Sequence, residues 1–118
     1  MTRILIAEDN DLNLKLMMDI LLFHKYEVDA VQDGEAALKK IMDYNYDLFL
    51  LDLQMPKISG FEVLQELNHK GISVKTIVVS ACAMTEEIDR AKNLGCLDFI
   101  TKPISLNEFL STIKKVLD

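Results

Sequence analysis

Five polar side chains stand at the ends of four apolar runs. Ile4-Leu5-Ile6-Ala7 leads into Glu8 and Asp9, and Leu48-Phe49-Leu50-Leu51 into Asp52. Ile77-Val78-Val79 leads into Ser80, and Asp98-Phe99-Ile100-Thr101 into Lys102. A buried unpaired carboxylate is costly, so Asp52 needs a partner. If the four runs are parallel neighbours, three acids, a hydroxyl and an ammonium meet at one sheet edge. Like charges gathered in one site raise each other's pKa or recruit a cation. Carboxylate oxygens are hard ligands, which favours Mg²⁺ or Mn²⁺ over zinc. Mg²⁺ keeps several waters and binds substrate phosphate. With Lys102 it would neutralise the oxygens of a transferring phosphoryl group. Ser80 could donate to another of those oxygens. Asp52 is a candidate nucleophile, because carboxylates form aspartyl-phosphate intermediates.

The elements that would position these groups alternate along the chain. Residues 3–7 read as a strand, and Asn10 or Asp11 can cap a helix with apolar positions Leu12, Leu16, Met17, Ile20 and Leu21. Val28 to Val31 reads as a second strand. Asp33-Gly34 opens a helix carrying Ala36, Ala37, Leu38, Ile41 and Met42. Leu48 to Leu51 is a third strand, Gln54 to Ser59 a loop around Pro56, and Gly60 the start of a helix carrying Phe61, Val63, Leu64 and Leu67. Val74 to Val79 is a fourth strand. Thr85 is expected to cap the next helix, with Glu86 and Glu87 at its positive end, and Gly95 to close it. Leu97 to Thr101 is a fifth strand. Ser105-Leu106-Asn107-Glu108 has capping-box spacing, and Leu106, Phe109, Leu110, Ile113 and Val116 give the last helix an apolar face.

Five strand-helix repeats argue for an α/β fold built on a parallel sheet. Strands three and four are nearly continuous apolar runs, as expected when helices cover both sheet faces. Such sheets bind ligands beyond the carboxyl ends of their strands, which is where the five polar residues fall.

Size and composition narrow the classes. A chain of 118 residues is about one domain, and a single domain over 1–118 is expected, with no linker or repeat. Half the residues are hydrophobic and 27% are charged, an ordinary balance for a soluble globular protein. No stretch has the length of a membrane span, and the N-terminus lacks the pattern of a secretory signal. A cytoplasmic location is expected. The net charge is −6 with no basic stripe, which disfavours direct nucleic-acid binding. Cys82 and Cys96 lack CxxC spacing and read as buried thiols. His24 and His69 read as surface or helix-end residues, so a His/Cys zinc site is not expected.

Ile6-Ala7-Glu8-Asp9-Asn10, Leu51-Asp52 followed by Met55-Pro56, Ser80-Ala81, and Lys102-Pro103 together resemble the receiver domain of two-component response regulators. The resemblance spans essentially the whole chain, with the four motifs in order. Glu8 to Asn13 and Ser80-Ala81-Cys82-Ala83-Met84 are most similar to single-domain receivers of the cell-cycle type and to receivers of hybrid histidine kinases. The resemblance implies a flavodoxin-like (βα)5 fold with strand order 2-1-3-4-5. It implies that Asp52 takes a phosphoryl group from a partner's phosphohistidine. Asp9, Asp52 and the backbone carbonyl of Gln54 would bind Mg²⁺, with Glu8 acting through a water. Lys102 would contact a phosphoryl oxygen, and its bond to Pro103 is commonly cis in this family. Ser80 would be the switch hydroxyl and Phe99 the switch aromatic, although a large apolar residue on a core strand also suits plain packing. Partners would be a histidine kinase or histidine phosphotransfer protein, docked on helix one near Leu12 to Phe23. A downstream protein would read the face formed by helix four, strand five and helix five. Self-phosphorylation and self-dephosphorylation are expected, without turnover of an external substrate. Glu8 stands where many receivers have Asp, and Ser80 where Thr is more frequent. Gln54 and Cys82 occupy positions that tune the phosphoryl lifetime.

Other readings compete. A Mg²⁺-dependent phosphatase of the haloacid dehalogenase class also uses an Asp after an apolar strand, but has a second Asp two residues on, where this chain has Gln54. A flavodoxin-like FMN carrier suits the fold class, but the acidic run Glu8 to Asp11 would repel the flavin phosphate. A degenerate receiver acting only in docking would not need Asp9, Asp52, Ser80 and Lys102 together.

Overall fold

A computed structural model describes residues 1–81 and 84–118. Ten elements alternate: β1 (Arg3–Ala7), α1 (Asp11–Phe23), β2 (Glu27–Val31), α2 (Gly34–Asp43), β3 (Leu48–Leu51), α3 (Gly60–His69), β4 (Thr76–Ser80), α4 (Thr85–Asn93), β5 (Asp98–Thr101) and α5 (Leu106–Leu117). The strands form one parallel sheet in the order β2-β1-β3-β4-β5. In register, Ala7 lies beside Val31 on one side and Leu51 on the other, and Ser80 beside Thr101. The carboxyl ends of the strands are therefore level, and the residues that follow them share one edge.

Two cores form because alternate strand residues point to opposite faces. Ile4, Ile6, Leu48 and Leu50 pack with Met17 and Leu21 of α1 and with Phe109 and Ile113 of α5. Leu5, Phe49 and Leu51 pack on the other face with Ala37 and Ile41 of α2, Val63 and Leu67 of α3, and Ala91 of α4. β1 and β3 are sealed by both layers, which accounts for their unbroken apolar sequence. Among the described residues, no helix is long and apolar enough to cross a membrane.

Several local expectations change. β4 starts at Thr76 rather than Val74, and the Thr76 hydroxyl donates to the Val74 carbonyl at 3.1 Å. Met84 takes the N-cap position of α4 with no side-chain bond, and Thr85 is the first helical residue. Ser105 precedes α5 without the capping-box hydrogen bonds, and the reciprocal box forms instead between Ser59 and Glu62 at α3. Leu12, Leu16, Met42 and Leu106 are exposed rather than core-facing. Their helices bury stripes centred on Met17 and Leu21, Ala37 and Ile41, and Phe109 and Ile113. Cys96 is a buried free thiol, and burial pushes it up to about 11. Cys82 lies outside the described residues. His24 and His69 sit at the ends of α1 and α3.

Candidate functional site

The site is assembled from loop starts held by backbone bonds. The amide of Asp52 donates to the Ala7 carbonyl at 3.0 Å, which sets Asp52 beside the start of the β1–α1 loop. The amide of Glu8 donates to the Val31 carbonyl at 3.0 Å, so the same loop is also anchored to β2. The amide of Lys102 donates to the Ser80 carbonyl at 3.0 Å, fixing the chain beyond β5 against the end of β4. The Lys102–Pro103 peptide is cis. On the remaining side Gly60 opens α3, and a Cβ there would run into the Asp52 carbonyl and lie 2.7 Å from Leu53 Cα. The absent side chain lets α3 begin directly against the backbone of Asp52.

Glu8 and Asp52 are 1% and 5% exposed. Lys102 reaches both: its ammonium donates to Asp52 Oδ2 at 2.8 Å and forms an ion pair with Glu8 Oε1. Backbone amides hold the other carboxylate oxygens. Asn10 N donates to Glu8 Oε2 at 3.1 Å, and Gln54 N to Asp52 Oδ1 at 3.1 Å. Glu8, Asp9 and Asp52 each bring an oxygen within 4.8 Å of the others. The arrangement is electrostatically unbalanced, with one ammonium against three carboxyl groups. Burial pushes Glu8 up to about 7; Lys102 opposes the rise and Asp52 adds to it. Burial alone would lower Lys102, but its pairing with Asp52 and Glu8 outweighs burial and holds it above the ordinary lysine value.

A divalent cation fits this donor set. The three acids supply only hard oxygens at mutual distances suited to one ion, and Glu8 Oε1 meets Lys102 only as an ion pair, accepting no well-formed hydrogen bond. A cation there would offset the burial and the Asp52 repulsion that together raise Glu8. Asp9 is exposed while its two neighbours are buried, so the cluster opens to solvent on its side.

The five residues expected at the strand ends are therefore brought to one edge. Ser80 is buried there, 1% exposed, beside the Lys102 backbone. Gln54 adjoins Asp52 through its amide. Phe99 stands apart from the acids; it pairs with Val78 in mid-strand, half-buried against the core under α2, α3 and α4. Gln32 was not singled out from the sequence. Its side-chain amide donates to Asp11 Oδ1 at 2.5 Å and makes a longer contact, 3.4 Å, with the Asp9 carbonyl. The strand-end rule that selected Asp52 would also have found it, since Gln32 directly follows Val31 of β2.

Comparison with known proteins agrees with this fold. The response regulator receiver domain model matches residues 4–114. The polar-differentiation response regulator DivK of Brucella ovis is 38% identical, over 97% of this chain and 94% of the relative. A CheY-like response regulator receiver domain protein from Methanospirillum hungatei JF-1 superposes with a TM-score of 0.93 at 31% identity, covering 100% of this chain and 94% of that one. The response regulator protein TrrA of Thermotoga maritima, solved in complex with Mg²⁺-BeF, superposes with a TM-score of 0.87 at 33% identity, covering 98% of this chain and 99% of that one.

Proposed function

This chain belongs to the response regulator receiver domain family, and we propose that Asp52 is its phosphoacceptor. The observation that carries the assignment is the single ammonium of Lys102 held 2.8 Å from Asp52 Oδ2, beside the Glu8-Asp9-Asp52 oxygen cluster. An Asp52 carboxylate oxygen attacks the phosphorus of a partner's phosphohistidine. The new P–O bond forms as the P–N bond breaks, and the imidazole leaves with its electron pair. Lys102 is within reach of the oxygens of the transferring group and offsets their charge. Ser80, at the end of the adjacent strand, is the hydroxyl that a phosphoryl group on Asp52 would draw in. Asp9, Asp52 and the Gln54 carbonyl, with Glu8 acting through a water, would hold Mg²⁺ or Mn²⁺, which would supply charge neutralisation at the phosphoryl oxygens. Phe99 is assigned to the switch on its place in β5 alone.

The haloacid dehalogenase alternative is not supported. The matched family and relatives are receivers, and Gln54 cannot exchange a proton as a second Asp would. Receivers are signalling proteins rather than enzymes that turn over a metabolite, so we assign the chain, as one domain over 1–118, no external substrate. The proposed docking surface for a histidine kinase or phosphotransfer protein is α1. There Leu12 is 80% exposed and Leu16, one turn on, is 47% exposed. The proposed output face is α4, β5 and α5, where Leu97 and Leu106 are exposed. The setting is the cytoplasm, with neither nucleic acid nor membrane as a direct ligand.

Incubation with Mg²⁺ and acetyl phosphate, followed by intact mass measurement, tests the assignment. One base-labile phosphoryl adduct is expected in the parent protein and none in Asp52→Ala. An adduct that survives Asp52→Ala, or no adduct in the parent, sinks it.

A further inference from the structure

We propose that Gln32 is a positioning residue for the cation site, acting through Asp9. The proposal rests on reading Glu8, Asp9 and Asp52 as that site. The three acids are not held equally. Glu8 and Asp52 are buried and tied by Lys102 and by the amides of Asn10 and Gln54. Asp9 is exposed, and among the described residues no donor meets its carboxylate. Its oxygen is aimed only by the path of its own backbone, the β1–α1 loop.

Beyond the Glu8 N to Val31 O bond, that loop is pinned at three points. Asn10 N donates to Glu8 Oε2, and Asn13 N donates to the Asn10 side chain at 2.9 Å, which closes the first turn of α1. The third pin comes from outside the loop. Gln32, carried on the end of β2, donates to Asp11 Oδ1 and touches the Asp9 carbonyl, so one amide bridges the residues on either side of Asn10. β2 is itself registered to the loop by the Glu8 N to Val31 O bond, so the strand transmits its position to Gln32. The same amide occupies an oxygen of Asp11, which keeps a fourth carboxylate engaged away from the cluster. Groups one step behind a metal ligand set its orientation and thereby its affinity.

The test is a Mg²⁺ titration of the full chain followed by amide chemical shifts, with a metal-free unfolding curve for each variant. Gln32→Ala is expected to weaken Mg²⁺ binding by about ten-fold, the low end for a group behind the ligands, while the metal-free unfolding midpoint stays at the parent value. Asp11→Ala removes one of the two Gln32 contacts and should give a smaller loss, and the double variant should lose no more than Gln32→Ala alone, because the contact that Asp11 makes is already gone there. Phosphorylation by acetyl phosphate should need more Mg²⁺ in Gln32→Ala, yet reach the parent rate at saturating Mg²⁺. Unchanged affinity overturns the proposal. So does a parallel fall in metal-free stability, which assigns Gln32 to the fold, and so does a rate that stays low at saturating Mg²⁺. A parent protein that binds Mg²⁺ but takes no phosphoryl group refutes the phosphoacceptor assignment instead, and leaves the titration to decide on Gln32.

Discussion

At the scale of single residues, burial and pairing decide what each charge does. Lys102 stabilises two buried carboxylates that would otherwise sit unpaired, and breaking such a pair leaves a strongly destabilising charge. A second charged cluster lies at the opposite, amino end of the sheet. Tyr46 donates to Asp29 Oδ2 at 2.6 Å, and Arg3 Nη2 lies 3.0 Å from the same oxygen, with its guanidinium over the Tyr46 ring. The Tyr46 hydrogen bond, more than Arg3, holds Asp29 below the usual carboxylate value, while burial and Asp29 hold the Tyr46 phenol above its own. Because Asp29 titrates lower in the folded protein, the unfolded chain binds more protons in acid. The pair's contribution is full above the unfolded carboxylate value and is lost as pH falls through the lower folded value. Tyr46→Phe is expected to cost about 1 kcal/mol at pH 7, discounted for partial exposure. That gap should narrow as pH falls below the ordinary carboxylate value, as read from urea midpoints of both proteins across the range. A pH-independent gap would mean that the hydroxyl acts through packing alone.

At the scale of elements, the site depends on where α3 may begin. Its N-cap Ser59 and Glu62 form a reciprocal box, and Gly60 N donates to the Leu53 carbonyl at 2.9 Å. These bonds draw the helix start onto the backbone of Asp52. Gly60→Ala places a methyl against rigid backbone, so the loop must shift. The expected loss is about 1–3 kcal/mol of stability, together with slower uptake of the phosphoryl group by the displaced Asp52. Urea unfolding and an acetyl phosphate time course measure the two effects. Parent-like values for both would show that the loop yields freely. Further along, Arg90 of α4 stacks over Phe61 of α3 at 4.1 Å, which ties together the two helices beside the β4 end of the site.

At the scale of the whole molecule, the cation and the fold are linked. A ligand that binds only the native state stabilises it by mass action, and at one hundred times its dissociation constant that is about 2.7 kcal/mol. Mg²⁺ is therefore expected to raise the thermal unfolding midpoint of the parent protein, and chelation to reverse the rise. Asp9→Asn should abolish the response while leaving the metal-free midpoint close to the parent's, since Asp9 is exposed. A full Mg²⁺ response in Asp9→Asn would remove Asp9 from the site. The same linkage would account for a cluster of like charges in a protein of net charge −6. The repulsion is local, and a cation bound there would relieve it.

Much of this protein was legible in its residues. The alternation of apolar runs with helical periods determined the five strand-helix repeats, because strand and helix faces have different periods. The strand-end rule located Glu8, Asp9, Asp52, Ser80 and Lys102 before any coordinate, because parallel strands all deliver their carboxyl ends to one edge. The sequence did not decide which apolar residues face inward at helix ends. Leu12 and Leu106 fit their helical patterns, but in the first turns of α1 and α5 they stay exposed, because only an opposing layer buries a side chain. Capping likewise depended on the tertiary path: Ser59 and Ser105 stand in similar spacings, and only Ser59 closes a box. Gln32 was within reach of the strand-end rule, but its partners were not. Its amide and its contacts at Asp9 and Asp11 are more than twenty residues apart in the chain, and only the β1–β2 register brings them together. The chain by itself determined which groups meet at the edge. The packing of its layers decided which are buried, which are paired, and which face the solvent.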